Sequence, residues 1–356
     1  MNTRTLGETA KVVTLRNNII PESGDLVNAL SAINSYLESK YQKEEFSGAV
    51  LVSKNNEILF NAGIGIANRE HQIKCTHETK FRIGSITKQF TSMAIMMLSE
   101  QGFLSEGDRL AKFFPLCPYG ESITIHHLLT HTSGIPNITQ LQDFKKLMKE
   151  YTPLHISIEL IMKLPLDFQP GSQFRYSNSG YLLLAYLIEM ITGQSYEEFL
   201  IENIFSPLSM NSSGPDKYKE IILQRASGYE FDHKIGIVNS DFIDMSIASG
   251  GGNLLSTTED LYKWELALTS NTLVSNKAMQ RLFTDYGFGY GYGWFVKDEL
   301  IYNKALKSVY HGGGIVGFKN RITRYLDEHV CIIVLNNLST TDVDDVTNNI
   351  TKLIFQ

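Results

Sequence analysis

At 356 residues, with a formal net charge of −6 spread over interspersed acids and bases, the chain can bury a large core but lacks the basic stripe a nucleic-acid binder needs. Its 43% hydrophobic and 20% charged content is that of an ordinary globular protein. Cys75, Cys117 and Cys331 lie far apart and outside any CxxC or Cys/His pattern, which argues against a disulfide framework or a zinc site and for buried free thiols.

Residues 1–20 read as an N-terminal extension without the continuous apolar stretch of a secretory signal. No run of about 18 apolar residues occurs, so no transmembrane segment is expected. The chain fits either a cytoplasmic protein or an exported one whose signal has been removed. Val27, Leu30, Ile33, Leu37 and Tyr41 fall on one face of an amphipathic helix. Two β-rich runs, 46–52 and 58–60, flank Lys54-Asn-Asn-Glu57 and read as a hairpin.

From about 85 to 205 the pattern is mainly helical. One helix runs from Ser85 through Met93 and Leu98 to near Gly102, and another from Asn178 to Gly193. Further on, Ser256-Thr-Thr-Glu259 has the form of a capping box before Leu261, Trp264 and Leu268. Strand character returns at 292–296, 315–325 and 330–335, and 346–355 reads as a closing amphipathic helix. Strands at both ends with helices between predict an α+β fold: an antiparallel sheet built from the two chain ends, flanked by terminal helices, with a helical insertion.

Three short patterns carry chemistry. In Gly84-Ser85-Ile-Thr-Lys88 a helix would bring Lys88 onto the face of Ser85, and an amine whose pKa is lowered by burial could take the hydroxyl proton. By itself this spacing better fits a helix cap followed by a surface lysine. Tyr176-Ser-Asn178 precedes a helix and offers a phenol for proton transfer and an amide for orienting a substrate, or simply a cap and a packing residue. His311-Gly-Gly313-Gly314 could let a substrate backbone approach closely, or form a turn or bulge. SxxK, YxN and HxG each occur once, in that order. His127 and His131 sit four apart, as on a zinc helix, but the intervening glutamate and a third ligand are missing, so packing and capping explain them better. There is no GxSxG elbow and no phosphate-loop motif.

With these motifs the chain resembles the class C branch of the serine β-lactamase and penicillin-binding protein superfamily, which includes D-alanyl-D-alanine carboxypeptidases, D-aminopeptidases and serine esterases. The resemblance runs from about Phe46 to the C-terminus and includes 81–88, 126–134, 169–178, 250–257 and 311–318. It implies an α/β sandwich of β-lactamase type, with 21–84 and 206–356 forming the α/β domain and 85–205 a mainly helical one. It also implies that Ser85 is acylated with help from Lys88, that Tyr176 is base and then acid, and that Asn178 orients substrate. The amides of Ser85 and Gly314 would form the oxyanion hole, and His311 and Gly313 would line the substrate site. No metal or cofactor is implied. The expected partner is a small-molecule or peptide substrate, such as a D-amino-acid peptide, a related amide or a small ester, with β-lactams as possible inhibitors. The alternative is a penicillin-binding sensor that keeps the fold without turnover. One departure matters: class C enzymes carry Lys-Thr-Gly where this chain has His311-Gly-Gly313, which weakens the case for β-lactam turnover. If His311 met an anionic substrate, activity should fall as pH rises through about 6 to 7.

Overall fold

The computed structural model describes residues 24–356; the extension at 1–20 lies outside them. Helix α1 (Gly24–Gln42) leads into strands β1 (Gly48–Lys54) and β2 (Glu57–Ile64). Asn55 and Asn56, both with positive φ, make the tight turn between them that matches strand twist. Four more strands come from the other end of the chain: β3 (Phe295–Ile301), β4 (Lys304–Ile315), β5 (Phe318–Tyr325) and β6 (Val330–Asn336). They join into one antiparallel sheet in the order β3-β4-β5-β6-β1-β2, with β1 pairing β6 from Gly48↔Asn336 to Lys54↔Val330.

Alternation along β1 and β6 divides the core. Val50, Val52, Ile332 and Val334 face one side, where Ile33 and Leu37 of α1 meet Val346 and Ile350 of the C-terminal helix, Val343–Phe355. Ala49, Leu51, Ile333 and Leu335 face the other, toward helices α2 (Thr87–Glu100), α3 (Ile125–Leu129), α4 (Asn178–Thr192) and α5 (Thr258–Leu268). A strand covered on both faces must be apolar throughout, which is why Gly48-Ala-Val-Leu-Val carries no polar alternation. Cys75, Cys117 and Cys331 are buried free thiols.

Three sequence expectations shift. Val27 is 47% exposed, so α1 presents a narrower face than its spacing predicts. The cap of α5 is Thr257, whose side chain accepts from Asp260 N, because Ser256 is still in a short strand paired with Phe81. The segment 304–315, charged at its start and glycine-rich at its end, is one continuous strand running through His311–Gly314. Its propensity signal is poor, but pairing with β3 and β5 along its length supplies what the side chains do not.

Candidate active site

Ser85 sits in a 3-10 turn, Gly84–Ile86, that continues directly into α2. The turn is pressed against β4. A Cβ on Gly84, whose φ is +53°, would lie 2.9 Å from the carbonyl carbon of Gly313 and 3.0 Å from the nitrogen of Gly314; one on Gly313 would lie 1.9 Å from the Ile83 oxygen. Glycine is therefore required on both sides of this approach. Asn320 fastens the two segments, its Nδ2 donating to Arg82 O at 2.8 Å and Gly313 O at 2.9 Å.

One helical turn on from the half-buried Ser85, Lys88 is wholly buried. Its Nζ lies 3.0 Å from Ser85 Oγ and donates to Asn178 Oδ1 at 2.8 Å and to Gly251 O at 2.7 Å. Loss of hydration holds the amine well below its ordinary pKa. Nζ also faces the rings of Tyr176 and Tyr181, at 4.9 and 5.4 Å from their centroids.

Asn178 opens α4, and both its backbone N and its Nδ2 donate to Asn137 Oδ1 at 3.3 Å, which fixes the amide with Oδ1 toward Lys88. Tyr176 is partly exposed, whereas its hydroxyl is buried and, among the described residues, has no partner at hydrogen-bonding geometry. Desolvation raises its pKa far above the usual phenol range, with Ser85 pulling the other way.

His311 lies differently from the expectation for a group that reads a substrate anion. It is 2% exposed, and both ring nitrogens are engaged: Nδ1 is 2.6 Å from Gly312 O and Nε2 is 3.0 Å from Tyr290 Oη. A carbonyl only accepts, so Nδ1 carries the proton and Nε2 accepts from Tyr290. Burial, the largest cause, lowers its pKa to about 3. No protonated imidazole is available at neutral pH, so the expected titration near pH 6 to 7 has no group to carry it. Gly314, by contrast, is exposed beside the Ser85 turn.

His127 and His131 do not share a helix face, because α3 ends at Leu129. His127 caps the helix through Thr124, and His131 accepts from Ser177 N. A cavity of about 690 Å³ lined by Thr152, Glu189, Asp216 and Asn253 includes none of the groups around Ser85.

The structure thus gathers Ser85, Lys88, Tyr176, Asn178, Gly313 and Gly314, and sets His311 behind them. Sequence reasoning missed Asn137, Asn320, Tyr290 and the Gly251 carbonyl. Asn137 follows the 126–134 motif and Gly251 lies within 250–257, so proximity to quoted motifs was the available signal for those two.

Penicillin-binding protein 4* of Bacillus subtilis (strain 168) is 28% identical over 329 residues, covering 87% of this chain and 72% of the relative. The solved penicillin binding protein from Bacillus halodurans superposes with a TM-score of 0.80 at 29% identity, over 89% of this chain and 99% of that one. D-amino acid amidase from Ochrobactrum anthropi SV3 shares the fold with a TM-score of 0.81 at 21% identity, over 93% and 99%. The family model described as Beta-lactamase matches residues 33–355, which takes in the whole sheet, the helical insertion and the Ser85 turn: the chain belongs to that family of serine hydrolases.

Proposed function

We propose that Ser85 forms an acyl-enzyme, that Lys88 is the base that frees its hydroxyl, and that Tyr176 protonates the leaving group. The observation that carries this reading is the set of partners around Lys88 Nζ. A neutral amine has two N–H bonds and one lone pair. Asn178 Oδ1 and Gly251 O are acceptors and take the two N–H bonds, which leaves the lone pair for the Ser85 hydroxyl at 3.0 Å.

As Oγ bonds to a substrate carbonyl carbon, its proton passes to Nζ. The resulting ammonium keeps both acceptors and gains the faces of Tyr176 and Tyr181. Collapse breaks the bond to the leaving nitrogen or oxygen, which takes the Tyr176 proton, and Lys88 returns its own proton to the phenolate. Water then attacks the Ser85 ester by the same steps in reverse. The amides of Ser85, at a helix N-terminus, and of Gly314 bind the oxyanion.

Substrates are D-amino-acid-containing peptides, related amides or small esters, with β-lactams acylating Ser85 slowly. The neutral, inward-facing His311 offers no cation to a substrate carboxylate, which favours amides and esters uncharged at that end. The shared fold with a D-amino acid amidase points the same way.

Labelling with a fluorescent penicillin or a fluorophosphonate, followed by peptide mass spectrometry, tests the acyl-enzyme. The adduct should map to Ser85 and vanish in Ser85→Ala. A label elsewhere, or one that persists in that variant, removes the proposal.

A further inference from the structure

The Tyr176 phenol is held only loosely by polar contacts in the resting site: among the described residues its buried hydroxyl has no partner at hydrogen-bonding geometry, and only the Ser85 hydroxyl lies near enough to act on it. Its orientation has to come from its ring and its backbone, and His131 touches both. The His131 carbonyl accepts from Arg175 N at 2.9 Å, and its Nδ1 accepts from Ser177 N at 3.1 Å. Its ring lies over that of Tyr176 with centroids 4.2 Å apart and planes at 34°. One residue therefore grips the chain before Tyr176, after it, and at its face.

The local backbone makes this placement costly. After α3, Thr132 N bonds to His127 O at 2.9 Å and His131 N to Leu128 O at 3.4 Å, the paired bonds of a Schellman helix end. His131 occupies the left-handed position of that motif, with φ +58°, where glycine is the ordinary choice. A bulky side chain here is strained, and it is also imperfectly satisfied: since Nδ1 accepts, the proton sits on Nε2, which is buried without a partner among the described residues. An apolar ring would avoid the second penalty and glycine the first. What neither supplies is the acceptor for Ser177 N.

We infer that His131 is a positioning residue for Tyr176, acting as a neutral imidazole through the Ser177 amide that its Nδ1 holds. The groups around it, Lys88, His311, Tyr176, Tyr181 and Tyr290, are neutral or cationic and include no carboxylate to stabilise an imidazolium. The inference rests on the proposal that Tyr176 protonates the leaving group, and it predicts that loss of the grip harms that proton transfer selectively.

Two butyrate esters separate the cases. p-Nitrophenolate departs without a proton, whereas ethoxide needs one. Wild type, Ser85→Ala, Tyr176→Phe, His131→Phe and His131→Asn are compared on p-nitrophenyl butyrate and ethyl butyrate. His131→Phe should lose roughly 10- to 100-fold in kcat/KM on the ethyl ester and much less on the p-nitrophenyl ester, as for Tyr176→Phe; kcat/KM is the quantity compared because both esters pass through the same butyryl-enzyme, whose hydrolysis also uses Tyr176. His131→Asn keeps an acceptor and tolerates positive φ, so it should recover most of that loss. Hydrogen exchange of the peptide containing Ser177 should speed up in the Phe variant and stay slow in the Asn variant. Equal losses on both esters, an unaffected His131→Phe, or unchanged exchange overturns the inference while leaving the serine mechanism intact. Absence of Ser85-dependent hydrolysis in the unsubstituted protein removes the mechanism, and this inference with it.

Discussion

The two walls of the site treat a buried nitrogen base in opposite ways. On the α2 wall, Lys88 is fully buried and desolvation holds its pKa well below the ordinary value; on the β4 wall, His311 is buried and desolvation lowers its pKa to about 3. The outcome differs because of where the lone pair goes. In the proposed mechanism the Lys88 N–H bonds go to Asn178 and Gly251 and its lone pair faces Ser85, whereas both His311 nitrogens are engaged by Gly312 and Tyr290. Burial favours the neutral form of each group, but on this proposal only the partners left around Lys88 make it a base for the reaction.

The largest effect that could break this contrast is expected at Lys88. Lys88→Met keeps an unbranched side chain and removes the lone pair, so acylation of Ser85 by a fluorescent penicillin should slow by roughly 10²- to 10⁴-fold. Stopped-flow or gel-based acylation rates check it. A variant that acylates within a few-fold of wild type would transfer the role of base to another group, and Tyr176 is the only other phenol or amine proposed at the reacting oxygen.

The glycine pair on the β4 wall sharpens the contrast at the level of packing. A Cβ on Gly313 would meet Ile83 O at 1.9 Å and Ile83 C at 3.0 Å, both backbone atoms of the segment leading into Ser85, whereas one on Gly314 meets nothing within 4 Å. Gly313→Ala should cost about 1–3 kcal/mol in urea unfolding and displace the nucleophile turn, slowing acylation as well. Gly314→Ala should stay within about 0.5 kcal/mol of wild type. Equal stabilities for the two variants would mean that the turn and the strand are not in the close contact described.

These sites also show what the sequence could and could not convey. Ser85, Lys88, Tyr176 and Asn178 were legible through the order of their motifs and the family resemblance those motifs carry, since each spacing alone fits a cap or a packing residue as well. The sheet from both chain ends was legible because β1 is apolar over 48–52 and β6 over 330–335, and the helices between them are periodic. The Gly251 carbonyl was not, since any residue has a carbonyl and only the fold brings this one to Nζ. Nor was the burial of His311: a histidine before glycines reads the same whether its ring faces the cleft or turns inward to Tyr290. The strand through His311–Gly314 was hidden because three glycines carry no β signal of their own.

A smaller effect concerns stability. Lys88 has a lower pKa folded than unfolded, so between its folded value and about 10.4 the unfolded chain binds the extra proton. Stability from this group therefore rises with pH across that window, by at most about 1.4 kcal/mol per pH unit, and Lys88→Met lacks the term. Urea midpoints at pH 7, 8.5 and 10 should move in favour of wild type relative to the variant as pH increases. Parallel trends in the two proteins would show that Lys88 stays charged when folded, and the proton inventory proposed for Nζ would be wrong.

The smallest expected effect is a missing one. A histidine reading a substrate anion would have to be protonated, so kcat/KM would fall as pH rose through about 6 to 7; a lysine acting as base must be unprotonated, so its limb rises with pH. The two signs are opposite, and a single pH–rate profile on p-nitrophenyl butyrate separates them. With the His311 pKa lowered to about 3, no falling limb should occur between pH 5 and 8, and any rising limb belongs to Lys88. His311→Asn should lower kcat/KM by a few-fold, through loss of the Tyr290 contact and looser packing under β4, without changing the shape of the curve. A falling limb in wild type that disappears in His311→Asn would show that the imidazole turns outward and takes a proton when substrate arrives. The two walls would then differ in timing rather than in kind.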